Sequence, residues 1–486
     1  MTHEPWAKGS LERASDGSDD RIGALVFFAA QDLTRMDKKL FGTDGIRGIP
    51  GKYPLDDATL DRIGQALGEH LRAHKDARGS HPRVLIGRDT RESGLHIAER
   101  IACGLAAASA EPVSAGVLTT PGIAWLVNRK GFAAGVVISA SHNPYHDNGV
   151  KLISSSGTKF PDAIEARLEK SILSADRRVP HSNSPGVDGD EKLHDDYLAG
   201  LREAVVLGAK FAGMRMVLDC ANGAASKLAP RLFRSLGADV ISMNDTPDGR
   251  NINAGCGSLH PELLQKRVVE SGATLGVAFD GDADRAIFSA ATGKLVDGDG
   301  VLLIAGRYLK STGRLKGNVI VGTTMANLGL ERALEKSGLQ LVRTDVGDRY
   351  VLEEMLRIGA NLGGEQSGHI LFLDDATTGD GMLTTVKMAS IVSIAGALDS
   401  LAGDLEIFPQ KIVNIRVKSK PPLDSLPEVS RVLREAEKAL GKSGRVVLRY
   451  SGTEPLARVM VEAEREEDVR RWTDALGSAL RSAIGA

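Results

Sequence analysis

Ala134 to Pro144 reads AGVVISASHNP: five small or β-branched apolar residues, then at once the turn-forming stretch Ser139 to Pro144. An apolar run this short reads as a buried strand, and the polar residues that end it mark a loop at its carboxyl end. The same transition recurs along the chain. Arg83 to Ile86 (RVLI) runs into GRDTRESG, Met214 to Leu218 into DCANGAAS, Leu275 to Phe279 into DGDADR, Val319 to Val321 into GTTMANLG, and Leu339 to Arg343 into TDVGDR. Between such runs lie stretches with helical spacing, such as Leu60, Ile63, Leu67 and Leu71, which form one buried helix face. Strand, loop and helix in alternation predict an α/β fold with parallel sheets, whose ligands sit in loops at the carboxyl ends of strands.

At roughly 150 residues per domain, 486 residues predict several domains rather than one core. Hydrophobic residues make up 42% and charged residues 26%, which excludes a generally disordered chain. The 61 Lys+Arg balance 63 Asp+Glu, so no basic field draws the chain to nucleic acid or to a membrane surface. The 55 glycines fit a turn-rich protein. Cys103, Cys220 and Cys256 are too few and too widely spaced for a disulfide framework or a zinc pattern, which fits a reducing cytoplasm. The apolar run Ile22 to Ala30 is too short to span a bilayer. Its upstream flank is more acidic than basic, against the rule for a secretory signal.

Residues 1–35 read as a loose extension, and Met36, followed directly by DKKLFGTDGIRG, is a candidate translation start. Pro180 to Asp190 (PHSNSPGVDGD) has linker composition, and the polar stretch Ala291 to Gly300 marks a second boundary. After Pro409 the texture changes to a strand at Lys411 to Val417, a charged helix with Pro427 near its start, and VVLRY and ARVMVEAE flanking SGTEPL. A helix follows from about Glu466. This predicts a smaller α+β domain with an antiparallel pair. The expected domains are therefore 36–188, 189–292, 293–405 and 406–486.

Four loops carry groups suited to chemistry. Asp280, Asp282 and Asp284 alternate directly after an apolar run, and hard divalent cations take such oxygen ligands. An EF-hand is excluded, since Arg285 and Ala291 stand where it needs Gly and Glu; a solvated polar turn stays open. Ser141 presents a hydroxyl at a strand end, as a nucleophile or as part of an ordinary loop. Adjacent Ser and His make no triad, and no GxSxG elbow occurs. Arg449, Ser451, Gly452 and Thr453 in RYSGTEP, with Arg458 beyond, suit a phosphate dianion or a plain hairpin turn. A nucleotide P-loop is not available, because AEKALGKS lacks its first glycine. Glu365, Gln366, Ser367 and His369 in GGEQSGH can hydrogen-bond vicinal hydroxyls.

In order, FGTDGIRG, GRDTR, SASHNPYHDNGVK, DCANGA, PDGRNIN, DGDADR, VGDRYV, GGEQSGH, TGDG and RYSGTEP resemble the α-D-phosphohexomutase family from Met36 to the C-terminus. The resemblance implies a four-domain phosphohexomutase architecture, three related α/β domains plus a smaller, mobile C-terminal α+β domain around a central cleft. It implies Ser141 as the phosphorylated serine, and Asp280, Asp282 and Asp284 as ligands of Mg²⁺ to which Ser141 adds a phosphate oxygen. Glu365 and Ser367 would contact sugar hydroxyls. Arg449, Ser451, Gly452, Thr453 and Arg458 would hold the distal phosphate. Arg47, Lys151, Arg285 and His369 would line the cleft, with Lys151 or His369 as general acid/base. Gln366 is typical of the family's glucosamine-phosphate branch, where the phosphomannomutase/phosphoglucomutase branch usually has Met. A phosphorylated amino sugar and a sugar 1,6-bisphosphate are thereby implied as partners, in the supply of amino-sugar and cell-wall precursors. The alternatives are the other branch, a metal-dependent sugar phosphatase and a non-catalytic sugar-phosphate sensor. A homodimer is implied by the resemblance alone.

Overall fold

The computed structural model describes residues 40–42, 44–73, 81–174, 189–451 and 455–486. The extension 1–35, the candidate start at Met36, the apolar run 22–30 and most of the linker expected at 180–190 lie outside these residues.

Leu60, Ile63, Leu67 and Leu71 are buried on one face of the helix Asp57–Ala73, as their spacing predicts. That helix packs on Gly94–Ala107 with its backbone almost in contact. A Cβ on Gly64 would come within 2.2 Å of the Ile101 carbonyl oxygen, and one on Gly104 within 2.1 Å of that of Asp61. The first sheet joins β1 (Ile46–Gly48), β2 (Arg83–Arg88), β3 (Glu111–Val117), β4 (Ala134–Ile138) and β5 (Asn148–Ser154) in the order β1-β5-β4-β2-β3. The second joins β6 (Arg215–Asp219), β7 (Asp239–Met243), β8 (Leu275–Phe279), β9 (Ala286–Ala290) and β10 (Leu295–Val296) in the order β10-β9-β8-β6-β7. The third joins β11 (Val319–Thr323), β12 (Gln340–Thr344), β13 (Leu362–Gly364) and β14 (Ile370–Phe372) in the order β12-β11-β13-β14.

One plan therefore repeats three times. A first strand (β2, β6 or β11) pairs in parallel with the second and third, and the third returns through an antiparallel fourth. This corrects the expectation of parallel sheets. The return strands β5, β9 and β14 are buried on both faces almost throughout, so no polar alternation betrays their direction. In consequence SASHNP, DGDADR and GGEQSGH each close a hairpin and do not open a helix.

Helix Gly381–Ala395 is buried along most of its length, and apolar packing runs continuously from the first α/β domain through the third. Where these three domains meet, Thr119 of the first donates a hydrogen bond to the Tyr197 hydroxyl of the second (3.4 Å), which donates to Asp380 of the third (2.8 Å). The fourth domain has β15 (Gln410–Arg416), β16 (Gly444–Tyr450) and β17 (Leu456–Ala463) in a three-stranded antiparallel sheet, one strand more than the expected pair. Helices Pro427–Leu440 and Glu466–Ile484 cover it and complete a separate hydrophobic core. Polar tethers join it to the third domain. Buried Glu462 accepts from Arg445 (2.5 Å) and from the Leu328 backbone (3.0 Å), Arg445 donates to the Thr324 and Ala326 carbonyls, and Asn327 exchanges two hydrogen bonds with the Phe408 backbone.

Two outcomes follow from these contacts. Glu462→Ala leaves Arg445 without its carboxylate, at a cost of about 1–3 kcal/mol; hydrogen exchange should quicken across β15 to β17 and stay unchanged across β6 to β9. Burial carries the Asp380 carboxyl up to about 6, despite hydrogen bonds from the Leu383 backbone and Tyr197. The unfolded value is about 3.9, so between the two the folded chain binds more protons and stability falls as pH rises through that window. In thermal unfolding, Asp380→Asn should lose that part of the decline.

Candidate active site

Ser141 lies at the head of the β4–β5 hairpin, buried, with a left-handed φ of 52°. A buried cation fixes the loop around it. Arg91 is about 1% exposed and donates to the carbonyls of Ser141 (3.0 Å), Asn143 (2.8 Å), Asp147 (3.1 Å) and Pro144, while its Nε pairs with Asp89 (2.9 Å). Asn253 donates to the Ser141 and Asn143 carbonyls from the second domain. Ser139 donates its hydroxyl to Asp89 (2.7 Å) and accepts the Ser141 N–H (2.9 Å). With its backbone held on both sides, Ser141 directs Oγ to Asp280 Oδ2 at 2.6 Å.

Asp280, Asp282 and Asp284 head the equivalent β8–β9 hairpin, and one oxygen from each lies within 4.8 Å of the others. Thr120 donates to Asp282 Oδ2 (2.7 Å), and Lys151 Nζ stands 3.1 Å from the same oxygen, 3.0 Å from Asp44 and 3.9 Å from Asp284. Among the described residues, Asp282 Oδ1 and Asp284 Oδ1 are buried with no hydrogen-bond partner. Burial first, then the charges of Asp284 and Asp282, push the Asp280 carboxyl well above the usual carboxylate range. Converging carboxylates with orphaned oxygens fit a hard divalent cation, which takes oxygen ligands at short range.

The other expected residues gather around this centre. His369 is buried with Nδ1 3.7 Å from Asp284 and Nε2 4.0 Å from Asp348. Burial alone would lower its pKa, but the nearby Asp284 carboxylate, with Asp348 and Glu365, carries it up to about 9. The Gly379 N–H points at Nε2 from 3.2 Å and pulls the other way, toward a neutral ring. Lys151 would likewise be lowered by burial, yet Asp282, Asp44 and Asp284 hold it well above its ordinary value. Arg47 pairs with Asp44 (2.6 Å) and reaches Asn143 and the Ala140 carbonyl at 3.4 Å. Arg285 stands 3.8 Å from Asp284. In the third hairpin Glu365 accepts from the Gly347 backbone (3.2 Å), burial raises its carboxyl, and Ser367 Oγ is buried with no hydrogen-bond partner among the described residues.

On the fourth domain Arg449 and Arg458 face one another across the β16–β17 ladder, beside the buried Ser451. Burial, then the Arg458 charge, lower the Arg449 pKa, while Asp345 of the third domain opposes this. Gly452 and Thr453 lie outside the described residues. Two guanidinium groups side by side on one sheet face are suited to an anion. Sequence reading left several positioning residues unnamed: Asp89 and Arg91 within GRDTR, Asn253 within PDGRNIN, Asp44 within FGTDGIRG, and Asp348 within VGDRYV. Lys159 bridges Asp44 (2.7 Å) and Asp348 (2.8 Å). The quoted motifs contain most of them; Thr120 and Lys159 had no such signal.

Comparison with known proteins fits this geometry. Phosphoglucomutase/phosphomannomutase profiles match in sequence: α/β/α domain I over residues 38–179, domain II over 195–293, domain III over 297–407 and the C-terminal domain over 412–477. The phosphoglucosamine mutase of Solibacter usitatus is 51% identical over 93% of this chain and 100% of its own length, and that of Koribacter versatilis 49% identical over 93% and 99%. A solved phosphoglucomutase/phosphomannomutase family protein from Burkholderia thailandensis superposes with a TM-score of 0.75 at 25% identity, covering 93% of this chain and 100% of that one. The fold is also shared with the N-acetylphosphoglucosamine mutase of Aspergillus fumigatus, solved with GlcNAc-6P and magnesium, at a TM-score of 0.62 and 18% identity over 92% and 96%. With all four domains matched in order, the chain belongs to the phosphoglucomutase/phosphomannomutase family of phosphohexomutases, alongside the phosphoglucosamine mutases.

Proposed function

We propose that the chain interconverts glucosamine 6-phosphate and glucosamine 1-phosphate, through phosphoserine at Ser141 and a glucosamine 1,6-bisphosphate. The observation that carries this reading is the Ser141 hydroxyl at 2.6 Å from Asp280, at the edge of a carboxylate triad suited to a cation. Asp280, Asp282, Asp284 and an oxygen on Ser141 would hold Mg²⁺, which offsets negative charge on the transferring phosphoryl group.

The bond from phosphorus to Ser141 Oγ breaks as one forms to the free sugar hydroxyl, whose proton passes to a buried base. Lys151 and His369 are the two candidates for this general acid/base; the carboxylates around them favour the protonated form of each, so the one that serves must first give up its own proton. Glu365 and Ser367 receive sugar hydroxyls, and Arg47 steadies the serine loop. The bisphosphate then turns end for end, and its other phosphate returns a phosphoryl group to Ser141. Throughout, Arg449, Ser451, Gly452, Thr453 and Arg458 hold whichever phosphate is not reacting. Two guanidinium groups facing one another suit a dianion better than either suits water.

The proposal includes a cytoplasmic location, a homodimer and domain limits at 188, 292 and 405. Among the described residues, no helix is long and apolar enough to cross a membrane, and the buried Cys103, Cys220 and Cys256 form no disulfide. The amino-sugar reading over mannose or glucose phosphates leans on Gln366. Its backbone carbonyl accepts from Gly298 (3.0 Å), and its side chain bonds Asp297, which caps the helix Gly298–Ser311. Gln366 thus fixes Glu365 and Ser367 from behind.

Intact-mass analysis with peptide mapping tests the central step. A phosphate on the Ser141 peptide should exchange with added sugar bisphosphate. Ser141→Ala should retain glucosamine 6-phosphate binding and lose all turnover; a transferred phosphoryl group that never resides on Ser141 ends the proposal. Release of inorganic phosphate without isomerisation would instead favour the phosphatase reading. Gln366→Met removes one charge-assisted hydrogen bond, so the preference for glucosamine over mannose phosphate, read as a ratio of kcat/KM, should fall about tenfold.

A further inference from the structure

A second cavity, of about 710 Å³, lies at the seam between the first and second domains. Its walls come from the carboxyl ends of β2 and β3, the loop after β6 with the first turn of helix Ala225–Ser235, and the start of helix Glu191–Glu203. The volume is that of a small-molecule site, and carboxyl ends of parallel strands are where α/β sheets receive ligands. No residue assigned to the mutase reaction lines it.

Its chemistry is lopsided. Leu95, Val117, Leu228 and Pro247 supply an apolar wall. Arg231 is neutralised by Asp195 and Glu191, and His194 faces Glu191 and the Ala115 carbonyl. Arg88 and Lys227 remain. Arg88 is half-buried, and its guanidinium donates only to the Asp89 carbonyl, at 3.4 Å; Lys227 makes no hydrogen bond or ion pair among the described residues. Burial pulls the Arg88 pKa down, the sign of a cation partly stripped of water without an adequate counter-charge. An anion with several oxygens relieves both groups, since a guanidinium fork takes two phosphate oxygens at once.

We propose that this cavity binds a phosphorylated small molecule as an effector, its phosphate between Arg88 and Lys227 and its body along the apolar wall. The route to the reaction is short. Arg88 directly precedes Asp89, which holds Ser139 and through it the Ser141 N–H. On the opposite wall, the Ala224 N–H donates to the Gly281 carbonyl in the triad hairpin at 2.8 Å. Binding at the cavity stands without the reading of Ser141; only its effect on turnover rests on that reading.

Calorimetric titration of inorganic phosphate uses the full chain carrying Arg449→Ala and Arg458→Ala, which lacks the distal phosphate site and leaves the Ser141 centre the same in parent and variants. Phosphate binding should remain, and the part due to the cavity should weaken at least tenfold with Lys227→Glu and with Arg88→Gln. Lys227 is exposed, so the melting curve of Lys227→Glu should match its parent and exclude misfolding. In the otherwise native chain, phosphate should change kcat itself, beyond its competition with substrate, and Lys227→Glu should erase that change while basal kcat stays. Loss of all binding in the double variant, or binding indifferent to Lys227→Glu, overturns the site. Intact binding with an unmoved kcat overturns the effector role.

Discussion

Three carboxylates share one buried corner of this molecule, and their mutual repulsion is the constraint that the surrounding structure answers. Unpaired, such a cluster would protonate or spread apart. Here Lys151 supplies one full positive charge against Asp282, Asp284 and Asp44, and Thr120 pins Asp282 from a neighbouring domain. Arg285 and His369 close the ring. Among the described residues two carboxylate oxygens still lack hydrogen-bond partners, which leaves a place for one more cation beside a serine whose hydroxyl already points there.

The repeated sheet plan explains how residues far apart in sequence reach this corner. The hairpins after β4, β8 and β13 occupy equivalent places in three related domains, and they carry Ser141, the acidic triad, and Glu365 with Ser367 respectively. The loops after the first strand of each repeat serve a different purpose. GRDTR supplies Arg91 to grip the Ser141 loop, DCANGA braces the triad hairpin through Ala224, and GTTMAN offers carbonyls to Arg445 of the last domain. One class of loop holds the candidate site and the other supports it.

Much of this was legible in the sequence, because buried strands ending in polar loops give a strong local signal. Ala134–Ile138 and Leu275–Phe279 have the bounds their apolar runs suggest, and the stripe from Leu60 to Leu71 is core. Strand direction was not legible. Residues 148–153 of β5 are buried on both faces, so they read alike whether parallel or antiparallel. The carriers of chemistry stood out as clusters of like groups, whereas their supports did not. Arg91 sits two residues after Asp89 in an ordinary-looking polar loop, and its role depends on carbonyls more than fifty positions away. Thr120 and Lys159 meet their partners only through the tertiary fold, where local pattern is silent.

The last domain has an apolar interior of its own, drawn from Ile415 to Ile484, and its attachment to the third relies on polar contacts around Glu462, Arg445 and Asn327. Beside those polar contacts the Phe408 ring is buried against Arg332 of the third domain. Water can substitute for each polar tether, so parting the two domains would cost the exchange of a few solvent bonds and the exposure of that ring. An arm built this way keeps its own interior whole whatever happens at its tethers.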